Sequence, residues 1–229
     1  MPEIVLMSDP RVSAIPVEDR GEPLVDLRSI PDLLLDQRLA DSDGAYAHIR
    51  QGHVGRLLRA QERLPEGLRL LITEGYRPLA LQKQYFSAYA AKLSDANPDW
   101  SEEHVYVQAS RSLSPPHIGP HVCGAAVDLT LCTRNGQELD MGTEVNASPE
   151  ESENACYTAA ENISAQARDN RMILNEALEE AGFINYPTEW WHWSYGDRYW
   201  ALLTGAPAAL HGQIDWPPKA SGTTMLPGA

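Results

Sequence analysis

The sequence contains few cysteines and no long hydrophobic run. Its only cysteines are Cys123, Cys132 and Cys156, and a small, odd number fits a reducing compartment better than a disulfide framework. No apolar segment approaches the roughly 20 residues that span a bilayer, and the N-terminus lacks the basic region and apolar stretch of a signal peptide. The sequence therefore predicts a cytoplasmic protein.

Positively charged residues are also scarce. Lys and Arg total 18 against 32 Asp and Glu, so the formal net charge is −14. A surface of this sign repels nucleic acid phosphates and anionic lipid headgroups, which argues against both as partners. Net charge does not describe the interior of a cleft, so a local basic patch can still bind a carboxylate. The expected partner, a small peptide or amide, follows from the site residues and the family resemblance described below. The oligomeric state is left open.

Composition and apolar patterning predict one α+β domain over residues 1–229. Hydrophobic residues make up 43% of the chain and charged residues 22%, which is typical of globular proteins. Apolar spacing predicts helices over 45–64, 79–93 and 157–181, and strands over 68–73, 125–133 and 183–194, the last broken by Pro187. The terminal segments are predicted to be an irregular N-terminal wrap, residues 1–43, and an irregular C-terminal tail, residues 205–229.

The first candidate metal ligands are His121 and Asp128. They stand seven positions apart, so one straight strand would place them roughly 23 Å apart on opposite faces. A shared metal therefore requires a bend of the chain near Gly124. The plainer interpretation is a loop histidine followed by an unrelated aspartate at a strand end.

A second segment places Glu189 and His192 three positions apart among tryptophans. Aromatic walls reduce water access and strengthen electrostatic interactions beside them. A core strand with a buried, hydrogen-bonded histidine is the alternative. Taken with His121 and Asp128, the segment supplies three Zn²⁺ ligands and a carboxylate that activates a water molecule as general base.

Arg77 is a candidate for stabilising charge in the transition state. Pro78 restricts the backbone of Arg77 and can aim its guanidinium, and a fixed cation stabilises the oxyanion formed when water attacks a carbonyl. An arginine before a proline is also a common solvated surface residue.

Four motifs together resemble a known family. They are Gly-Tyr-Arg-Pro at 75–78, His-x-x-Gly-x-Ala-Val-Asp-Leu-Thr-Leu at 121–131, Met-Gly-Thr at 141–143, and Gly-Phe at 182–183 leading to Glu-Trp-Trp-His at 189–192. Their order and spacing resemble the zinc D-alanyl-D-alanine dipeptidases of the vancomycin-resistance type, in the group of D,D-peptidases related to the hedgehog signalling domain. The resemblance implies a small antiparallel sheet packed with helices. It also implies zinc on His121, Asp128 and His192, with Glu189 as acid/base catalyst and Arg77 stabilising the tetrahedral intermediate.

The sequence departs from the family pattern mainly where the resemblance implies substrate contacts. Gly119 replaces a serine, Glu74 replaces an aspartate before the Gly-Tyr-Arg-Pro motif, and Asn146 replaces an aspartate implicated in holding the substrate ammonium. The family's N-terminal Tyr-Ala-Thr element is also missing. The substrate-binding residues that we expect are Glu74, Tyr76, Asn146 and Trp191.

Three readings of the function follow. The leading one is a D,D-dipeptidase-like zinc hydrolase that cleaves a small peptide or amide by Glu-assisted attack of water. A D,D- or L,D-carboxypeptidase acting on peptidoglycan stems is the enzymatic alternative, and a non-catalytic, zinc-stabilised binding module is the other. His117 and Cys123 lie close to the predicted ligands, but we expect neither to bind metal, and we expect the nearby tryptophans to be core or pocket wall.

Overall fold

The computed structural model describes residues 4–217 and mixes helices with short strands. The helices are α1 (Pro10–Ala14), α2 (Gln51–Arg63), α3 (Leu79–Ala96), α4 (Glu102–Ala109), α5 (Ala165–Glu180) and α6 (Arg198–Thr204). The strands are β1 (Leu24–Asp26), β2 (Leu34–Leu35), β3 (His48–Arg50), β4 (Leu68–Glu74), β5 (Ala126–Thr133), β6 (Ile184–Tyr186) and β7 (Glu189–Ser194). The predicted α+β class is confirmed.

Five strands form the main sheet, in the order β2-β4-β5-β7-β6. Neighbours from β4 to β6 run antiparallel, as the family resemblance implied, whereas the two-residue edge strand β2 runs parallel to β4. Asp128 in β5 lies directly opposite His192 on β7 and opposite Glu74 on β4. The register therefore gathers three of the predicted functional residues at one end of the sheet.

The centre of the sheet is buried and covered by helices. Every residue of β7, and every residue of β5 except the last, is buried. Leu57 of α2 and Leu174 of α5 belong to the same apolar cluster as Leu129 and Trp193 of the sheet, and all four side chains are fully buried. Burying each such side chain stabilises the fold by about 1.5–3 kcal/mol, so α2 and α5 hold the sheet firmly.

Two helices are shorter than their apolar patterns predicted. α2 begins only at Gln51, because the preceding residues His48–Arg50 pair with β1. α5 begins at Ala165, where the Ser164 hydroxyl accepts a hydrogen bond from the Ala167 N–H and caps the helix. The predictions of α-helix over 45–50 and 157–164 were therefore wrong, although Ala45–Ala47 form a 3₁₀ turn.

The described parts of the terminal segments contain little regular structure. Residues 4–43 hold only α1, β1, β2 and a short 3₁₀ turn. That this segment wraps the domain stays a prediction. Residues 205–217 follow an irregular path, and the rest of the predicted tail, 218–229, lies outside the described residues. Within residues 4–217 no helix has the length and apolarity needed to cross a membrane.

Candidate metal centre and active site

The structure brings the three predicted ligands together. His121 lies in a 3₁₀ turn, Asp128 in β5 and His192 in β7, and each is at most 4% exposed. Asp128 Oδ1 is 2.9 Å from His192 Nδ1 and 3.3 Å from His121 Nε2, and the two nitrogens are 3.2 Å apart. One oxygen and two nitrogens therefore face a common point.

Gly124 makes this convergence possible. It ends the turn that carries His121 with a left-handed backbone, φ +64°, and β5 starts two residues later. A Cβ at this position would lie only 2.5 Å from Leu24 Cδ2, so both the conformation and the space favour glycine. The bend that a shared metal required near Gly124 is present.

An irregularity in β7 brings Glu189 to the same side as His192. Residues three apart on a regular strand point to opposite faces. Here one step along β6, from Asn185 to Tyr186, corresponds to a four-residue step along β7, from Trp193 to Glu189. The Asn185 side-chain amide donates to the carbonyls of Glu189 and His192 at 2.9 and 3.0 Å, and so satisfies two carbonyls at this bulge.

The donor set fits zinc. Ligand atoms about 2.1 Å from a tetrahedral zinc ion stand roughly 3.4 Å from one another, close to the separations found here. His121 also has the outer contact typical of a metal-binding imidazole, because its Nδ1 lies 2.6 Å from the Gly75 carbonyl and Nε2 is left for the metal. Two imidazoles and one carboxylate would leave the fourth position open, as in catalytic zinc sites.

The surroundings shift the pKa values of the two carboxyl groups at the site in opposite directions. Burial opposes ionisation of Asp128, but the His121 and His192 imidazoles outweigh it and hold the pKa of the carboxyl well below its usual range. Burial, followed by the Asp128 charge, raises the pKa of Glu189 well above its ordinary value, and Arg77 opposes that rise. Glu189 Oε2 is 3.7 Å from His192 Nδ1. One carboxylate therefore favours the ionised form, while the other is poised to carry a proton.

Arg77 is buried beside the metal ligands and held by two side chains. Its Nε donates to Glu74 Oε1 at 2.7 Å, its Nη2 donates to the other oxygen of the same carboxylate, and its Nη1 donates to Gln82 Oε1 at 2.8 Å. Burial disfavours the charged guanidinium, but Glu74 outweighs burial and raises the pKa of Arg77. The arginine therefore stays cationic, and a two-sided clamp fixes its direction.

Two cavities share Arg77 and Asn146 among their lining residues. The inner cavity, about 20 Å³, is lined by the three metal ligands, Glu189 and Arg77 together with Asn146 and residues 112–114. The outer one, about 440 Å³, is lined by Arg77, Asn146, Glu74 and a largely apolar wall that includes Leu39, Tyr85, Ala88, Tyr89 and Leu113. The side chains that line the metal site therefore also border the larger cavity, and the two cavities are together called the cleft.

Other residues singled out in the sequence lie elsewhere. Tyr76 is 1% exposed and its hydroxyl donates to the Ile214 carbonyl, while Trp191 is fully buried in the core, so neither lines these cavities. His117 is exposed and outside the ligand cluster. Cys123 Sγ contacts the Gly119 carbonyl at 3.5 Å. Sequence analysis missed Gln82 and Asn185, whose roles depend on partners brought near by folding.

Comparison with known proteins is consistent with this geometry. A model of the D-ala-D-ala dipeptidase family matches residues 51–204. The D-alanyl-D-alanine dipeptidase of Synechocystis sp. is 32% identical over 220 residues, covering 82% of this chain and 87% of that protein. The D-alanyl-D-alanine dipeptidase of Enterococcus faecium is 30% identical over 149 residues, covering 62% and 70%.

A solved structure of a variant of the vancomycin resistance D,D-pentapeptidase VanY, in complex with Zn(II), has a TM-score of 0.42 and 18% identity, covering 85% of this chain and 93% of that chain. The family match and the sequence relatives identify the chain as a metallopeptidase. It belongs to the D-Ala-D-Ala dipeptidase family.

Proposed function

We propose that the protein is a zinc-dependent D,D-dipeptidase-like hydrolase that cleaves an amide bond in a small peptide. The observation that carries the proposal is that the three proposed ligands, Glu189 and Arg77 line the same inner cavity. A metal site that served only to stabilise the fold would need neither Glu189 nor Arg77 beside it. The binding-module alternative is therefore less well supported.

The protein residues divide the catalytic work. Zinc held by His121, Asp128 and His192 would supply Lewis-acid chemistry, because it would polarise the scissile carbonyl and make water easier to deprotonate into a nucleophile. Glu189 accepts the proton of that water and passes it to the leaving nitrogen, a role that suits a carboxyl with a raised pKa. Arg77, clamped by Glu74 and Gln82, stabilises the oxyanion without having to move.

The cleft favours a substrate whose amino end carries no charge. Asn146 lines both cavities and brings no charge of its own. The carboxylates on the outer wall already have cationic partners, Glu74 with Arg77 and Glu151 with Lys92 at 2.7 Å. An acylated or otherwise modified dipeptide therefore fits this surface better than one with a free ammonium group, and we propose that Glu74 and Asn146 contact it.

A substrate screen tests the function. The zinc-loaded protein is given D-Ala-D-Ala, its N-acetyl derivative, a longer stem-type peptide ending in D-alanine, and L,L-dipeptides, and amine release is measured. We expect cleavage of a D,D-amide by the wild type. Preference for the longer peptide would favour the carboxypeptidase alternative.

The matched variants are Glu189→Gln and Glu180→Gln. Glu189→Gln keeps the shape of the side chain but removes the proton acceptor, so we expect retained zinc and a loss of about 10²–10⁴-fold in turnover. Glu180 is an exposed residue of α5 paired with Arg63, and its variant keeps wild-type turnover. Equal rates in the two variants would remove Glu189 from the mechanism.

A further inference from the structure

The two terminal segments, which lie outside the residues matched by the family, pair with each other. The Ala209 N–H donates to the Pro16 carbonyl at 2.9 Å, and the Glu18 N–H donates to the Ala209 carbonyl at 2.8 Å. The Arg20 N–H continues the pattern by donating to the Leu210 carbonyl at 3.0 Å. These hydrogen bonds fix the backbone of residues 209 and 210 against residues 16–20.

Buried Arg50 joins this paired segment to the turn that carries the metal ligand His121. Only 1% of Arg50 is exposed, and its guanidinium donates to the Gly212 carbonyl and to the Cys123 carbonyl, both at 2.7 Å. Because Cys123 is the last residue of the His121 turn, one side chain links the C-terminal segment to the metal centre.

The backbone of Ile214 makes the closest connection. Its N–H donates to the Val122 carbonyl at 3.1 Å, and its carbonyl accepts from the Tyr76 hydroxyl at 2.8 Å. Val122 follows the metal ligand and Tyr76 precedes Arg77. The Trp216 ring adds a contact from the same segment, with its centroid 5.5 Å from that of Tyr76.

Tyr76, which Ile214 contacts, lies between two residues that hydrogen-bond to His121. The Gly75 carbonyl next to Tyr76 lies 2.6 Å from His121 Nδ1, and the Arg77 N–H donates to the His121 carbonyl at 3.2 Å. A shift of Tyr76 would therefore displace both of its neighbours in the chain, namely the Gly75 carbonyl that contacts His121 and the backbone of Arg77.

We propose that residues 209–216, called here the terminal brace, position the metal centre, with Tyr76 and Ile214 as positioning residues. The effect on turnover rests on the proposed function, whereas the effect on metal affinity does not. The brace acts through hydrogen bonds to the backbone beside His121 and Arg77, and it touches neither the metal position nor the cleft.

The test removes one hydroxyl from each of two buried tyrosines. Tyr76→Phe deletes the bond to Ile214 and keeps the ring beside Trp216. Tyr199→Phe is the matched control, because Tyr199 is also 1% exposed and its hydroxyl donates to a backbone carbonyl, that of Val5. Neither Tyr199 nor Val5 lines the inner or the outer cavity. Zinc affinity, kcat, KM and Tm are measured for the full chain.

We expect both variants to lose a similar amount of Tm, since each loses one hydrogen bond to a carbonyl. Loss of a hydrogen bond to a metal-binding side chain typically weakens metal binding or activity by about 10–100-fold. Tyr76 acts on His121 only through the neighbouring Gly75 carbonyl, so Tyr76→Phe should have an effect at the lower end of this range. We expect it to raise the zinc Kd about tenfold and to lower kcat more than it changes KM. Trp216→Leu changes the terminal brace itself and removes the ring that packs against Tyr76, so it should also raise the zinc Kd.

Zinc affinity equal to the control in both Tyr76→Phe and Trp216→Leu would overturn the proposal and leave the brace a purely structural element. The proposed function would instead be refuted if the wild type cleaved no peptide. The terminal brace would still be supported in that case if the zinc Kd were raised in Tyr76→Phe and Trp216→Leu but not in Tyr199→Phe.

Discussion

Acid should destabilise this fold through His53, a buried residue of α2. Its Nε2 lies 3.1 Å from two carbonyl oxygens, those of Ala125 and Tyr195. Ala125 directly precedes β5 and Tyr195 directly follows β7. The ring is fully buried, and among residues 4–217 its Nδ1 has no hydrogen-bond partner. A second proton would therefore place an unpaired charge in the core.

The size of the effect follows from the pKa of His53. Burial, followed by the neighbouring His211 imidazole, lowers that pKa from 6.5 to about 3. Below the unfolded pKa of 6.5 the unfolded chain binds a proton that the native chain does not, so stability is lost as pH falls and the loss stops only near the folded pKa. Between about pH 7 and about pH 5, only the roughly 1.5 units below 6.5 contribute, so at about 1.36 kcal/mol per pH unit the loss of unfolding free energy is roughly 2 kcal/mol.

Urea unfolding followed by tryptophan fluorescence measures this loss. Wild type and His53→Gln are compared at both pH values, with a chelator present so that zinc binding does not contribute. The glutamine amide can donate to the same carbonyls but does not titrate, so the variant should lose roughly 2 kcal/mol less between the two pH values. An identical pH dependence in the two proteins would refute the assignment of this proton to His53.

Three further outcomes are expected at the site. The double variant His121→Ala/His192→Ala should hold far less zinc than the about one equivalent expected of the wild type, because one proposed ligand remains; full occupancy by metal analysis would remove the site. Arg77→Ala should lower kcat by about 10²–10³-fold, whereas a raised KM with unchanged kcat would make Arg77 a substrate anchor. Asn146→Asp should improve kcat/KM for free D-Ala-D-Ala relative to its N-acetyl derivative by roughly ten- to hundredfold in paired assays, and no relative gain would exclude Asn146 as the discriminating position.

The convergence of the proposed ligand residues could be predicted from the sequence, because their side-chain types and spacing restrict the geometry. His121 and Asp128 can share a metal only across a bend, and Gly124 is the residue between them that most readily adopts one. Strands such as β4 and β5 were predictable because their apolar runs end at glycine or polar residues. Their local pattern matches their tertiary environment.

Other features have no local signal. The bulge that turns Glu189 towards His192 depends on how β6 pairs with β7, and periodicity within one strand does not report pairing with another. The pairing of Val17 with Ala209 joins residues from opposite ends of the chain. Apolar spacing also overextended α5, since residues 157–164 have a helix-like pattern although the Ser164 cap fixes the start of the helix.

The direct pairing of Asp128 with His192 across β5 and β7 has a consequence for the choice of ion. A hydrogen-bonded ladder holds opposite Cα atoms about 4.5–5.5 Å apart, so the two ligands cannot separate without breaking the sheet. Calcium takes six to eight oxygens at about 2.3–2.6 Å and needs a wider, more flexible cage. We therefore expect the sheet to discriminate between ions by size: zinc or cobalt should compete for the site, and calcium in large excess should displace neither.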